Sequence, residues 1–440
     1  MTTSKTNSVI NMNSKSFKQT EGSNENQLDE LIEINNISSV IINNETKTDD
    51  EGKKGVSQKY NDSLIKKMMW SEYLNLNDRE DIAISKSSLL DNYDPNAEQL
   101  LDAEEDILNP ANYRLAIKPI DPKYEVLWKL HKKQADAYWT PEEIDFAGDA
   151  YDFANLTNTN DKEKLEYGKN IQKFIKMVLA FFAGADSIVT VNIQKNFSKI
   201  TIKEANVMHT FQAMMENVHG ETYADMLINI VKDSKEREEL INAFKNVRSI
   251  KLMIDWANRW LESERRIGFF IVAFAIFEVI FFSGAFASIY WLKKILGEDK
   301  MKGLIQSNNL IARDEGMHGN FSTILYSFVK NKLSQEELSI MVKEAVTIAK
   351  MFYQDALPVK LIGMNSQLMS EYVEYVADML CGYLGYEKIY NTKIPETLKF
   401  METIGFLNKD NFFERRTAEY QKSFNTKNKG DWQFNVKNDY

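Results

Sequence analysis

The chain's prolines stand at Pro95, Pro110, Pro119, Pro122, Pro141, Pro358 and Pro395, so residues 142–357 contain none. A proline inside a helix removes a backbone donor and clashes with the turn before it, so this long span is free to run as unbroken helices. Apolar residues recur at helical spacing in KNIQKFIKMVLAFFAGA, EANVMHTFQAMMENVH and EELSIMVKEAVTIAKMF. Helix starts are written beside them. Thr140-Pro141-Glu142-Glu143 reads as an N-cap, a first-turn proline and a capping-box glutamate, and Thr201 with Glu204 and Ser334 with Glu337 repeat that spacing. The predicted fold class is all-α, a helical bundle.

The flanks differ in composition. Residues 1–60 are rich in Asn, Ser, Lys, Glu and Thr and hold only Phe17 and Tyr60 as aromatics. Such a segment buries too little apolar surface to offset the entropy of ordering it. Residues 1–105 are therefore predicted to be a disordered or weakly structured extension, with one short helical candidate around Leu64 to Leu74. The bundle is predicted over 106–410, and 411–440 as a flexible polar tail. The first residues lack an apolar stretch of the secretory kind, and one cysteine, Cys381, gives no disulfide framework. A net charge of −10 argues against nucleic-acid phosphate as the main partner. A soluble cytoplasmic protein fits these features.

One stretch raises the question of a membrane. Ile267 to Leu292 is long and apolar enough to span a bilayer, yet carries Glu278 near its middle. An acid at that depth is costly in lipid. A helix buried on all sides within a bundle reads the same way and is preferred.

The chemistry lies in four histidines, His131, His209, His219 and His318. Two of them close Glu-x-x-His motifs, Glu216 to His219 and Glu315 to His318, in which positions i and i+3 share a helical face. A single such motif arises by chance on exposed helices. Two on separate helices, joined by one further carboxylate from each of two other helices, are the signature of a di-iron or di-manganese bundle site. Asp186 and Glu278 are the candidates, since each is the lone acid of a long apolar run. A buried carboxylate without a cation is pushed toward its neutral form, and a bound divalent metal keeps it ionised. Tyr223 follows His219 by four residues on the same face. Phe282 and Phe286 follow Glu278 at i+4 and i+8 and form an apolar wall. A phenol so placed beside an oxidising metal pair can be oxidised and persist as a radical.

At this point the chain resembles a known family. From about Tyr113 to Gln421 it looks like the small, radical-generating subunit of class I ribonucleotide reductases, close to the eukaryotic and large-DNA-virus type. The resembling strings, in order, are YRLAIKPI, YWTPEEIDF, LAFFAGADSIV, AMMENVHGETY, FEVIFFSGAFASIYWLKK, LIARDEGMH, ALPVKLIGMNSQLMSEYVEYVADML and NFFERRTAEYQ. The resemblance implies a ferritin-like bundle holding two iron ions per chain, with manganese as the alternative. By it, Asp186, Glu216 and His219 ligate one ion, and Glu278, Glu315 and His318 the other, with Glu216 and Glu315 bridging. It makes Tyr223 the stored radical, and Trp139, Asp314 and Tyr420 the path that passes the oxidising equivalent on. It implies a homodimer whose C-terminal tail binds the large reductase subunit. Two departures stand out: LTNTNDKEKLEYGKN reads as a surface-loop insertion, and Ser187 takes the place of a glycine common after the aspartate.

The cysteine count fits that division of labour. Ribonucleotide reduction needs a thiol radical and a dithiol, and Cys381 is alone, so a large subunit must supply them. The competing readings are a di-iron oxidase acting on its own substrate and a ferritin-like iron store.

Overall fold

The computed structural model describes residues 89 and 93–404, apart from 262, 298, 358–360, 362 and 363; for 186–196, 246, 403 and 404 it gives the backbone alone. The helical candidate at Leu64 to Leu74, the rest of the extension to residue 88 and the tail from 405 lie outside these residues. Among the described residues there is no β-strand, only an isolated bridge between Leu361 and Met364.

The main helices among the described residues are α1 (Pro95–Ala103), α2 (Glu125–Asp136), α3 (Lys162–Asn196), α4 (Lys203–Ile230), α5 (Arg248–Leu261), α6 (Ile267–Leu296), α7 (Lys302–Ser327), α8 (Gln335–Ala356) and α9 (Ser366–Leu384). Helices α3, α4, α7 and α6 pack on one another in a closed ring. α2 leans on α4 and α7, while α8 and α9 press on the middle of α6.

Helix α6 is the core of the bundle. Every residue from Ile267 to Leu292 is buried by protein, so its apolar length is covered by neighbouring helices. Its middle, Phe277–Phe281, widens into a π-turn around Glu278. Such turns are inserted residues that redirect side chains and often mark functional positions. Just beyond it, Gly284 lets Tyr353 of α8 approach: a Cβ there would stand 2.1 Å from the Tyr353 hydroxyl and 2.4 Å from its ring. Both partners are rigid and buried, so Gly284→Ala is expected to lower unfolding stability by at least about 1–3 kcal/mol, the usual cost of overpacking. Urea unfolding of the two proteins checks this, and equal midpoints would contradict it.

The start of α7 is pinned from a distance. Asp149 accepts hydrogen bonds from the amides of Gly303 (3.1 Å) and Leu304 (2.6 Å), and Asp152 accepts one from Met301 (2.9 Å). These satisfy helix-start donors that have no partner within the helix and fix the register of the helix bearing Asp314, Glu315 and His318.

Local signals met different fates. Ser334 and Glu337 form the predicted capping box at α8, with Ser334 N donating to Glu337 (2.7 Å) and Glu337 N to Ser334 (3.1 Å). Thr140 and Glu143 also form one, but it opens only the single 3₁₀ turn Pro141–Glu143. Thr201 does not cap α4. Its hydroxyl goes to the carbonyls of Ile107 (3.1 Å) and Asn109 (2.8 Å), while Glu204 pairs with Arg114 (2.5 Å). The segment read as a loop insertion is loop only to Asp161, since α3 already begins at Lys162.

Order also begins earlier than a boundary at 106 suggests. Asp94 caps α1 through the amide of Asn96, and Pro95 opens the helix. Glu98 then accepts from the Arg266 amide (2.6 Å) and pairs with Arg265 (3.1 Å) and Arg266 (3.3 Å). Composition missed this because both arginines lie at the far end of the chain contact, at the start of α6.

Candidate metal centre

Two helices carry the Glu-x-x-His motifs, α4 with Glu216 and His219 and α7 with Glu315 and His318. The spacing of three places each pair on one face. Because α4 and α7 pack together, the two pairs meet. His219 Nδ1 lies 3.2 Å from Glu216 and 3.0 Å from Glu315; His318 Nδ1 lies 3.0 Å from each of the same two glutamates. Each glutamate therefore faces both histidines, one oxygen to each. All four residues are buried.

Glu278 joins this square from the π-turn of α6. Ligand atoms of Glu216, Glu278, Glu315 and His318 all lie within 4.8 Å of one another. The amide of Gln212, one turn before Glu216 on α4, donates to both Glu216 and Glu278 at 3.3 Å. Of the six ligands predicted from sequence, five are thus gathered. Asp186 lies on α3, one turn after Phe182, but its side chain is outside the described residues.

The electrostatics favour positive charge at this site. Burial alone would lower the His219 imidazole, but hydrogen bonds with Asp314, Glu216 and Glu315 outweigh it and raise it well above the usual value. Burial works the same way on His318, and the charges of Glu216 and Glu315 lift it to about 9. For Glu315 burial favours the neutral acid; the His318 charge and hydrogen bonds from His219 and His318 reverse that and hold it below the carboxylate range. Carboxylates and imidazoles without a thiolate suit iron or manganese better than a structural zinc. Two Nδ1 lone pairs facing shared carboxylates fit a pair of divalent ions.

Behind His219 runs a second chain of contacts. Its Nε2 lies 3.3 Å from Asp314 Oδ2, and the same oxygen accepts the Trp139 indole N–H at 2.6 Å. Arg313 donates to the other oxygen at 2.9 and 2.8 Å. Burial would raise the Asp314 carboxyl, but Arg313 and these donors keep it below its usual value. Trp139 is fully buried and nearly parallel to the His219 ring, 6.0 Å away. Trp139 and His219 thus meet on one carboxylate oxygen of Asp314.

Tyr223 is 1 % exposed and stacks on Phe182 of α3, with centroids 4.6 Å apart and planes 6° apart. Phe282 and Phe286 pack on Phe182, at 5.9 and 5.0 Å, and Phe182 in turn stacks on the phenol. Tyr420 lies outside the described residues. His209 is buried between Phe197 and Phe321. Sequence reading missed Gln134, Gln212, Arg313 and Phe182. The available signal was a polar residue in a buried helical register, as in Leu127, Leu130 and Gln134 of α2.

A helical bundle with a buried carboxylate–histidine square defines a ferritin-like protein whose centre is built for two metal ions. The comparisons with known proteins narrow that class. Residues 116–397 match the family model described as ribonucleotide reductase, small chain. The small chain 1 of ribonucleoside-diphosphate reductase from Saccharomyces cerevisiae is 42 % identical over 325 residues, 73 % of this chain and 77 % of that one. The small chain from Yaba-like disease virus is 42 % identical over 338 residues, 76 % of this chain and 98 % of its own. Among solved structures, the ribonucleotide reductase Rnr4 homodimer from Saccharomyces cerevisiae aligns with a TM-score of 0.60 at 30 % identity, covering 74 % of this chain and 96 % of that one. The chain belongs to the family of ribonucleotide reductase small chains, and its role is that of the small subunit of a ribonucleoside-diphosphate reductase.

Proposed function

We propose that this subunit holds two iron ions between α3, α4, α6 and α7 and uses them to make a tyrosyl radical at Tyr223. The observation that carries this is the square in which Glu216 and Glu315 each face both His219 and His318. In this reading Asp186, Glu216 and His219 would hold one ion and Glu278, Glu315 and His318 the other, with Glu216 and Glu315 shared between them. Manganese is the alternative metal for the same donors. Bound to the site and reacting with dioxygen, the metal pair supplies the oxidising equivalent.

The rest is the chain's own work. Tyr223 would give up an electron to that pair and its phenolic proton to the oxygen being reduced, and Phe182 with the wall behind it keeps water and reductants from the ring. Asp314 holds the hydrogen on His219 Nε2, turning the Nδ1 lone pair toward the metals. The same carboxylate accepts from Trp139, so Trp139 and Asp314 form the inner part of a transfer path, and Tyr420 its outer part. The path ends at a large subunit that binds the C-terminal tail, holds the ribonucleoside diphosphate and provides the cysteines. The relatives' naming as small chains and the Rnr4 homodimer support such a partner and a homodimer here. A cytoplasmic setting fits the single buried Cys381.

Asp314→Asn tests the path. The amide keeps the shape but loses the charge that Arg313, Trp139 and His219 share. The expected result is a protein that still forms the radical yet turns over about 10–100-fold more slowly per radical, the usual loss when a residue backing a metal ligand is changed. Radical content by electron paramagnetic resonance, set against deoxynucleotide formation with the large subunit, gives that ratio. An unchanged ratio would remove Asp314 from the path.

A further inference from the structure

The two histidines of the square are backed differently, and this difference rests on one short segment. Residues 134–139 run from the last turn of α2 to Trp139, and both end residues are buried. Trp139, at one end, reaches His219 through Asp314. Gln134, at the other end and 1 % exposed, places its side-chain amide 2.5 Å from His318 Nε2. With its NH2 group toward that nitrogen, the amide leaves Gln134 Oε1 buried and without a hydrogen-bond partner.

Turning the amide over removes that conflict. Oε1 then accepts from a hydrogen on His318 Nε2, and the buried acceptor is satisfied. With Nδ1 given to a metal, Nε2 carries the hydrogen; an NH2 group cannot accept it, while the amide oxygen, of nearly the same size, can. His318 Nδ1, which faces Glu216 and Glu315 at 3.0 Å, is then left with its lone pair free to ligate.

We infer that Gln134 is a positioning residue for His318: its carbonyl oxygen fixes the Nε2–H form of the imidazole and aims Nδ1 at the metal position. The consequence is a built-in asymmetry. His219 is backed by a carboxylate, which draws strongly on its Nε2–H and makes Nδ1 the better donor. His318 is backed by a neutral amide and is the weaker donor. The Gln134 contact therefore bears on the metal position beside His318 and leaves the one beside His219 to Asp314.

This rests on the di-metal reading above, and the test separates the two. Metal-free full-length protein is titrated with Mn(II) under anaerobic conditions, with free Mn(II) read by electron paramagnetic resonance. Wild type is expected to take two ions per chain in two steps. Gln134→Met keeps the length and apolar stem but has no strong acceptor. It is expected to keep one step at wild-type affinity and to weaken the other by about 10–100-fold. Gln134→Glu supplies an acceptor again, and is expected to restore the weakened step to wild-type affinity or tighter. Two unchanged steps in Gln134→Met, or equal loss in the Met and Glu variants, would overturn the positioning role. A wild type that takes fewer than two ions would instead overturn the di-metal reading itself.

Discussion

Replacing Tyr223 by phenylalanine is expected to abolish the tyrosyl signal and to reduce deoxynucleotide formation to background, while metal uptake stays at the wild-type level. The change removes one oxygen and nothing else. The ring that stacks on Phe182 at 4.6 Å is kept, so the packing of α3 on α4 is kept with it. Loss of a single buried hydroxyl moves stability by about 1 kcal/mol, too little to unfold a bundle of this size. The proposed metal ligands of α4 lie four and seven residues earlier. The measurement is electron paramagnetic resonance after reconstitution with Fe(II) and air, run beside metal analysis and turnover with the large subunit. A tyrosyl signal surviving in Tyr223→Phe would place the radical on another of the buried phenols, such as Tyr353.

Glu315→Gln is expected to have the second large effect, at the metals themselves. Glu315 is fully buried and faces His219 and His318 at 3.0 Å each, so it is placed to bridge. Its neutral amide matches the volume but offers a poor bridge between two cations. Metal content after desalting is expected to fall from two ions per chain to one or none, and the radical to vanish with it. Removing one partner of a buried charged pair costs about 3–5 kcal/mol in general. The cost here is smaller, because Glu216 still faces both imidazoles. The metal-free variant should accordingly stay folded by circular dichroism. Two tightly held ions in Glu315→Gln would show that the bridge lies elsewhere.

The legible part of this molecule was local. Helical period and the spacing of three in Glu-x-x-His are properties of a short window, and α4, α7 and α8 follow them directly. Glu278 stood out because an acid inside Ile267 to Leu292 needs a purpose. The π-turn around it did not, since an inserted residue in a helix is selected by packing from α8 and α9 and leaves no mark in the apolar pattern. Trp139 lies fully buried in an irregular segment, where no periodicity speaks for burial; only the resemblance pointed to it. Gln134 and Arg313 act across more than 170 positions of sequence, on His318 and on the carbonyl of Ala137. Thr201 shows the same limit from the other side. Its capping spacing was present, but the partners that won its hydroxyl came from residues 107 and 109.

The central claim is a pair of metal ions shared by Glu216 and Glu315 within the helix ring. Crystals of protein reconstituted with Fe(II), measured on both sides of the iron absorption edge, test it most directly. The account predicts two anomalous peaks per chain, one beside His219 and one beside His318, each in reach of both shared glutamates, with Asp186 on the first and Glu278 on the second. A single peak, or peaks away from these side chains, would contradict it.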